Sequence, residues 1–272
     1  MPEFIAAQAG EVKQECERNA AKRWLKDHGP RLARLRPIYL GDALFACQPL
    51  AEAVLATGAD FLFVSKPESH KTLYEYLRGA KFQQHTAVER RPGGHSQTYG
   101  YRWTEAVPLR DGKDALAVQW LEITITNSAG KTTYRNAFVT NLGITADNVA
   151  GLAACARARW KIENESFNVL KNNGYNLAHN FGHGKQHLAD TFAALNLLAF
   201  ASHTVLDCLE TLWQQARQAI GTRKDFFADL HAIAGCCLFP NWLTLYSCDG
   251  FRQSSTHLES LHPKSTNRFA PF

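Results

Sequence analysis

Residues 37–76 read PIYLGDALFACQPLAEAVLATGADFLFVSKPESHKTLYEY, and this stretch decides the fold class. Ile38-Tyr39-Leu40 is a short apolar run closed by Gly41-Asp42, the pattern of a buried strand that ends in a turn. Pro49 to Ala56 is rich in helix formers and stops before a turn at Gly58. Phe61-Leu62-Phe63-Val64 is a second buried strand, and Pro67 with the helix formers after it opens another helix through Tyr76. Strand, helix, strand, helix at this spacing predicts parallel strands joined by crossovers, hence an α/β sheet.

Working outward, residues 11–28 predict a helix, with Val12, Cys16, Ala20 and Trp24 repeating every four on an apolar stripe. Pro30 and Pro37 then punctuate a connection. Past residue 81 the character changes. Residues 97–142 carry alternating, β-branched and aromatic stretches, with Asn127-Ser128-Ala129-Gly130 where a hairpin would turn, so an antiparallel β subdomain is expected. Thr145-Ala146-Asp147 offers caps for a helical stretch to about Lys171. Gly174, Gly182 and Gly184 mark a loop, and a second long helix is expected over 187–218. The tail after 240 is rich in Ser, His and Pro and reads as loosely ordered. The organisation expected is 1–80, 81–142, 143–220 and 221–272.

The 272 residues are 45% hydrophobic, 20% charged and 11% aromatic, a globular composition that excludes collagen-like repeats and wholesale disorder. No run approaches eighteen apolar residues, which argues against a membrane span, and residues 1–15 lack the apolar centre of a secretory signal. A cytosolic protein is expected. Its seven cysteines, at 16, 47, 155, 208, 236, 237 and 248, include no C-x-x-C pair and read as reduced thiols packed in the interior. The net charge of +5 is mild, but residues 11–36 hold eight basic against four acidic side chains, and 78–102 hold five against one. Clustered positive charge suits a polyanion, and also suits a solvated helix face.

Three places could carry chemistry. Asp42 stands at the carboxyl end of a predicted parallel strand, where open α/β sheets place ligands; a helix N-cap is the alternative. Glu163 shares a helix face with Arg159 and with Leu170/Lys171, as a site or as a surface ion-pair ladder, and it is flanked by Trp160 and Ile162. His179, His183 and His187 have helical zinc-ligand spacing, but Gly182 and Gly184 argue for a turn, with loop hydrogen bonds or phosphate contacts as the alternative role.

Taken in order, several stretches resemble a bacterial insertion-sequence transposase (insertion-sequence-four-like) with a DDE active site on an RNase H-like fold. They are Pro37 through Ala46, Lys66-Pro67-Glu68-Ser69-His70-Lys71, Tyr101-Arg102-Trp103, Thr140-Asn141-Leu142, Arg157 through Asn168, Lys171 through Tyr175, His179 through Gly184, and Leu195 through Phe200. The resemblance covers most of the chain. It implies that Asp42 is the second catalytic aspartate and Glu163 the catalytic glutamate, both ligands of Mg2+ (or Mn2+), with a β-rich insertion between them. The family's Y-x2-R-x3-E-x6-K pattern keeps Arg159 and Glu163 here; Ala156 replaces the tyrosine and Lys171 falls one residue late.

The family's first aspartate, on an earlier strand, has no counterpart, since Asp27 alone precedes Asp42 and lies in a Lys-rich helical context. The resemblance thus implies a chain that starts partway through the catalytic domain. Such a chain is expected not to cut DNA alone, and to associate through the open edge of the Asp42 strand. DNA, meaning transposon ends, is the expected partner, in the bacterial cytoplasm at the nucleoid, with no membrane. Phosphate contacts are expected from Arg157, Arg159, Lys161, Lys171 and Lys185, and from Arg90, Arg91 and Arg102 in the β insertion. A non-catalytic DNA-binding or oligomerising remnant is the alternative, and a zinc hydrolase using the histidines a further one.

Overall fold

The computed structural model describes residues 2–5, 16–90, 96–179, 182 and 184–246. It divides into two compact units, Met1–Trp160 and Lys161–Phe272.

In the first unit, helix α1 (Glu17–Leu32) leads into strand β1 (Ile38–Gly41), helix α2 (Gln48–Ala56), strand β2 (Asp60–Ser65) and helix α3 (Lys71–Leu77). Strands β3 (Gln83–Arg90), β4 (Ser96–Pro108), β5 (Ala117–Asn127) and β6 (Thr132–Thr140) follow, and helix α4 (Val149–Arg157) closes the unit. β1 and β2 are parallel, pairing Leu40 with Leu62, as the strand–helix–strand spacing predicts. The antiparallel strands do not stand apart. β6 pairs antiparallel with β2, so all six strands form one mixed sheet in the order β1-β2-β6-β5-β4-β3.

Alternation along β2 explains the layers. Phe61 and Phe63 face one side with Leu50, Val54, Leu73, Val118, Trp120 and Val139, covered by α1, α2 and α3. Leu62 and Val64 face the other with Trp103, Leu121, Ile123 and Phe138, covered by Val149, Ala153 and Ala156 of α4. Both faces of β2 are therefore buried, which is why it reads as a continuous apolar run. Burying each such side chain contributes about 1.5–3 kcal/mol, so Phe61, Trp103, Trp120 and Phe138, all under 2% exposed, anchor the sheet from both sides.

Three local differences from the sequence reading have physical causes. α1 continues through Pro30, because in the last turn the ring removes only one helical bond. The helix then tightens into a 3-10 turn and ends where Arg36 turns left-handed (φ 46°), ahead of Pro37. Residues 11–15 of the expected helix lie outside the described residues, as does the tail from 247. β3 was not expected as a strand, since Gln83-Gln84-His85-Thr86 offers no apolar alternation and most of the strand is exposed. Among the described residues the cysteines are not interior: Cys16, Cys208, Cys236 and Cys237 are exposed, Cys47 and Cys155 half-buried, and these six are free thiols, while Cys248 lies outside the described residues.

In the second unit a π-helical turn (Ile162–Phe167) runs into helix α5 (Asn168–Asn172). Helices α6 (Leu188–Leu209), α7 (Thr211–Ala219), α8 (Arg223–Cys236) and α9 (Trp242–Tyr246) follow. The expected single helix over 187–218 breaks at Glu210, whose backbone is extended (φ −106°, ψ 107°) and whose carboxylate caps α7 by accepting from the Leu212 N–H at 3.3 Å. Trp213, Ala216, Ile220, Phe226 and Leu245 form the unit's small core. α6 is, by length and composition, long and apolar enough to cross a bilayer, although its polar residues interrupt every apolar run.

Candidate functional site

Asp42 is the first residue past β1 and is exposed to solvent. Its Oδ1 accepts the Leu44 N–H at 2.8 Å, and its carbonyl accepts the Phe45 N–H at 3.1 Å, a tight turn of the kind aspartate favours. The N-cap alternative does not hold: α2 begins six residues later, with Cys47 at its N-cap. Gly41 is required here for space. A Cβ on it would lie 2.8 Å from Phe45 Cβ and 2.8 Å from a ring carbon of Phe63.

The loop after β2 lies alongside. His70, buried in that loop, approaches the Ala46 carbonyl with Nε2 at 2.7 Å. A carbonyl can only accept, so Nε2 carries a proton; Nδ1 lies 3.2 Å from the Lys66 N, 3.0 Å from the Ser69 hydroxyl and 3.1 Å from the Lys66 carbonyl. One imidazole thereby ties together the two loops at the carboxyl ends of the parallel pair. Tyr74 of α3 donates to the Ser65 carbonyl at the end of β2 at 3.2 Å. The sequence reading quoted Lys66 through Lys71 without assigning His70 this role; a histidine just ahead of a helix, beside a predicted strand end, was the available signal.

The basic candidates of this unit differ in availability. Arg90 is exposed at the end of β3, and Arg91 lies outside the described residues. Arg102 is committed within the fold: its guanidinium lies over the rings of Phe82 (4.4 Å) and Trp120 (5.5 Å) and pairs with Glu122 at 3.0 Å. Arg135 takes the other oxygen of Glu122 at 2.8 Å. Arg157 is half-buried with its guanidinium 5.0 Å above the Tyr134 ring, and Arg159 is half-buried as well.

Glu163 is an exposed residue of the second unit, in the π-helical turn. Hydrogen bonding from i to i+5 rotates successive residues less than an α-helix does, so Ile162–Phe167 does not follow the α-helical steps from which the shared face was expected. Lys161, Lys171 and Lys185 are exposed, with Lys171 Nζ 5.9 Å from the Phe167 ring. His179 and His187 are exposed, and His183 lies outside the described residues. The zinc spacing needed a helix, but Gly182 and Gly184 take left-handed φ values of 77° and 61°, which an α-helix does not use; residues 180, 181 and 183 lie outside the described residues.

No family model matches this chain, and no curated protein matches it.

A magnesium pair would need several hard oxygen ligands around each ion. Asp42 offers such oxygens in the first unit and Glu163 in the second. Among the described residues, however, no three His, Cys, Asp or Glu side chains gather where one ion could hold them. The described side chains do not by themselves make the metal centre, and no step is assigned through it.

The second unit also holds a polar cluster that the sequence reading missed. Arg223 donates to the Tyr175 hydroxyl at 3.2 Å, and that hydroxyl lies 2.8 Å from His203 Nδ1. Arg223 also pairs with Asp207 at 2.8 Å, and Trp213 Nε1 donates to the other Asp207 oxygen at 2.6 Å. Asn196 donates to the Tyr175 carbonyl. Burial, and then the Arg223 charge, hold the His203 imidazole below its ordinary pKa, while burial raises the Tyr175 phenol. Asn196, Phe200, His203 and Asp207 recur at four, three and four residues along α6, which was the available signal. Beside them lies a cavity of about 500 Å³ lined by Ser202, His203, Trp213, Leu230, Trp242 and Tyr246.

Proposed function

We propose that this chain is part of the catalytic domain of a DDE-type insertion-sequence transposase with an RNase H-like fold, a part that holds DNA without cutting it alone. The observation that carries the reading is the place of Asp42. It follows a strand that pairs in parallel with the next one, in a turn stitched to the neighbouring loop, at the carboxyl end of an α/β sheet layered between helices. That is where the resemblance at Pro37 through Ala46 puts the second aspartate. Magnesium would supply activation of the attacking oxygen in such a domain, with Asp42 and Glu163 as the residues the resemblance assigns to hold it. The described side chains gather no set of three carboxylates, so the reading assigns these residues DNA binding and not, by themselves, cleavage.

Of the candidate contacts, Arg90, Lys161, Lys171 and Lys185 are exposed and available to DNA phosphates. Contacts of this kind are indifferent to sequence and weaken as salt releases the counterion advantage. Localisation at the bacterial nucleoid follows from this reading.

The test is fluorescence anisotropy on a labelled duplex across a salt series, beside a nicking assay on supercoiled DNA with Mg2+. We expect binding whose logarithm falls linearly with log salt, a slope about one unit shallower for each of Lys171→Ala and Lys185→Ala that removes a phosphate contact, and no nick. Absence of binding at low salt would sink the reading. A Mg2+-dependent nick, lost in Asp42→Asn and in Glu163→Gln, would overturn the inactivity while supporting the family.

A further inference from the structure

Within the first unit, α1 and α2 lie side by side and run in the same direction. At their carboxyl ends Gly29 abuts Thr57, so closely that a Cβ on the glycine would collide with the threonine methyl. At their amino ends the Arg18 side chain reaches the Cys47 thiol, and the Cys16 thiol less strongly. Both cysteines stand at helix N-caps. The Cys16 carbonyl accepts the first helical bonds of α1, from the Asn19 N–H at 2.9 Å and the Ala20 N–H at 3.3 Å. The Cys47 carbonyl accepts those of α2, from Leu50 at 3.1 Å and Ala51 at 3.0 Å. Two thiols distant in sequence are thereby gathered about one guanidinium.

That place favours a negative sulfur. A helix N-terminus carries partial positive charge, parallel packing sets two of them together, and Arg18 adds a whole one. The Asn19 backbone N–H, and after it the backbone and charge of Arg18, hold the Cys16 thiol below its ordinary pKa. Cys155, on α4, shows the contrast, since burial pushes its thiol up. Cys16 is exposed and Cys47 half-buried, the arrangement of an attacking thiol backed by a resolving one. The same positive charge disfavours a cation, and among the described residues no third ligand joins the two sulfurs in a metal-binding group.

We infer that Cys16 and Cys47 are a redox-active thiol pair, which a hydroperoxide closes into a disulfide. The Cys16 thiolate attacks one peroxide oxygen, the O–O bond breaks, and hydroxide leaves behind a Cys16 sulfenic acid. The Cys47 sulfur then attacks the Cys16 sulfur, the S–S bond forms, and the S–O bond breaks. The two thiol protons go to the departing oxygens, so two thiols and one hydrogen peroxide give one disulfide and two waters. Cys16 has extended backbone (φ −104°, ψ 154°) ahead of α1, so its side chain can turn toward Cys47 while the helical ladder stays closed. The bond would fasten the start of α1 to the residue that follows Ala46, whose carbonyl is held by His70.

The test treats the reduced full chain with hydrogen peroxide, caps remaining thiols with N-ethylmaleimide, and maps peptides by mass spectrometry without reductant. We expect a peptide pair joined through Cys16 and Cys47, lighter by two hydrogens than its parts and separated by dithiothreitol. In Cys47→Ser the reaction should stop at a Cys16 sulfenic acid that dimedone traps, and in Cys16→Ser no such adduct should form at Cys47. Arg18→Gln should slow closure about threefold or more and move the pH midpoint of Cys16 alkylation upward, a shift that a merely structural arginine would not give. Both thiols still capped by N-ethylmaleimide after peroxide would overturn the inference. So would Cys16 joined to any other cysteine, or zinc that copurifies with the native chain and is lost in Cys16→Ser. The readout is a covalent mass in the absence of DNA, so its outcome is separable from that of the transposase reading.

Discussion

Two single residues show how tightly local sequence and local structure are coupled. At Gly41 even a methyl group has nowhere to go, because Phe45 and Phe63 close on the position from both sides at 2.8 Å. Gly41→Ala should destabilise the first unit by about 1–3 kcal/mol through overpacking, read as a lower urea midpoint by tryptophan fluorescence; an unchanged midpoint would refute the packing. His203 is a residue-scale switch of the second unit. Its Nδ1 lies 2.8 Å from the Tyr175 hydroxyl, which also accepts from Arg223, and the ring stacks on Trp213 at 4.9 Å. Its folded pKa lies below the ordinary 6.5, so the unfolded chain takes up the proton first. Stability is therefore full above about pH 6.5 and is lost as pH falls from there through the depressed folded value. Thermal unfolding of the chain between pH 8 and 5 should show this loss, and His203→Gln should flatten it.

At the scale of elements, periodicity was a good guide wherever one physical demand acted alone. β1 reads as a buried strand but is a half-buried edge strand. β2 was legible because burial on both faces writes a continuous apolar run, and α2 and α3 because helix formers follow Pro49 and Pro67. β3 was not, because an exposed strand is held by its ladder with β4 and needs no apolar alternation. The π-helical turn at Glu163 was equally hidden, since composition does not distinguish it from an α-helix. Arg102 shows why composition alone misplaces function. Its positive charge reads as a DNA contact, yet across the β4–β5 ladder it sits opposite Glu122 and under two aromatic rings. Arg102→Ala should therefore cost about 1–2 kcal/mol of stability, from the lost cation–π stacking and ion pair, while leaving the salt slope of DNA binding unchanged. Arg102→Lys should recover little, because an ammonium cannot lie flat on Phe82. A shallower salt slope in Arg102→Ala would instead place its guanidinium on a phosphate.

For the molecule as a whole, an α/β sheet was legible and its single mixed sheet was not. The pairing of β2 with β6 depends on residues far apart in sequence, and no local pattern encodes which edge a later strand will join. The candidate site was legible as Asp42 and its setting; the stitching by His70 emerged only with the loops in place. That distant pairing also sets an order of events during synthesis. β2 leaves the ribosome with β1 on one side, and the strand that covers its other side, β6, lies about 80 residues downstream. At the usual 5–20 residues per second, that edge waits roughly 4–16 s for its partner. Meanwhile β3 to β6 can zip as a local meander. The nascent chain thus carries the Asp42 half of its sheet as an unclosed edge until the last strand arrives, which makes early encounters with chaperones, or with another nascent copy, a built-in feature of how this protein is made.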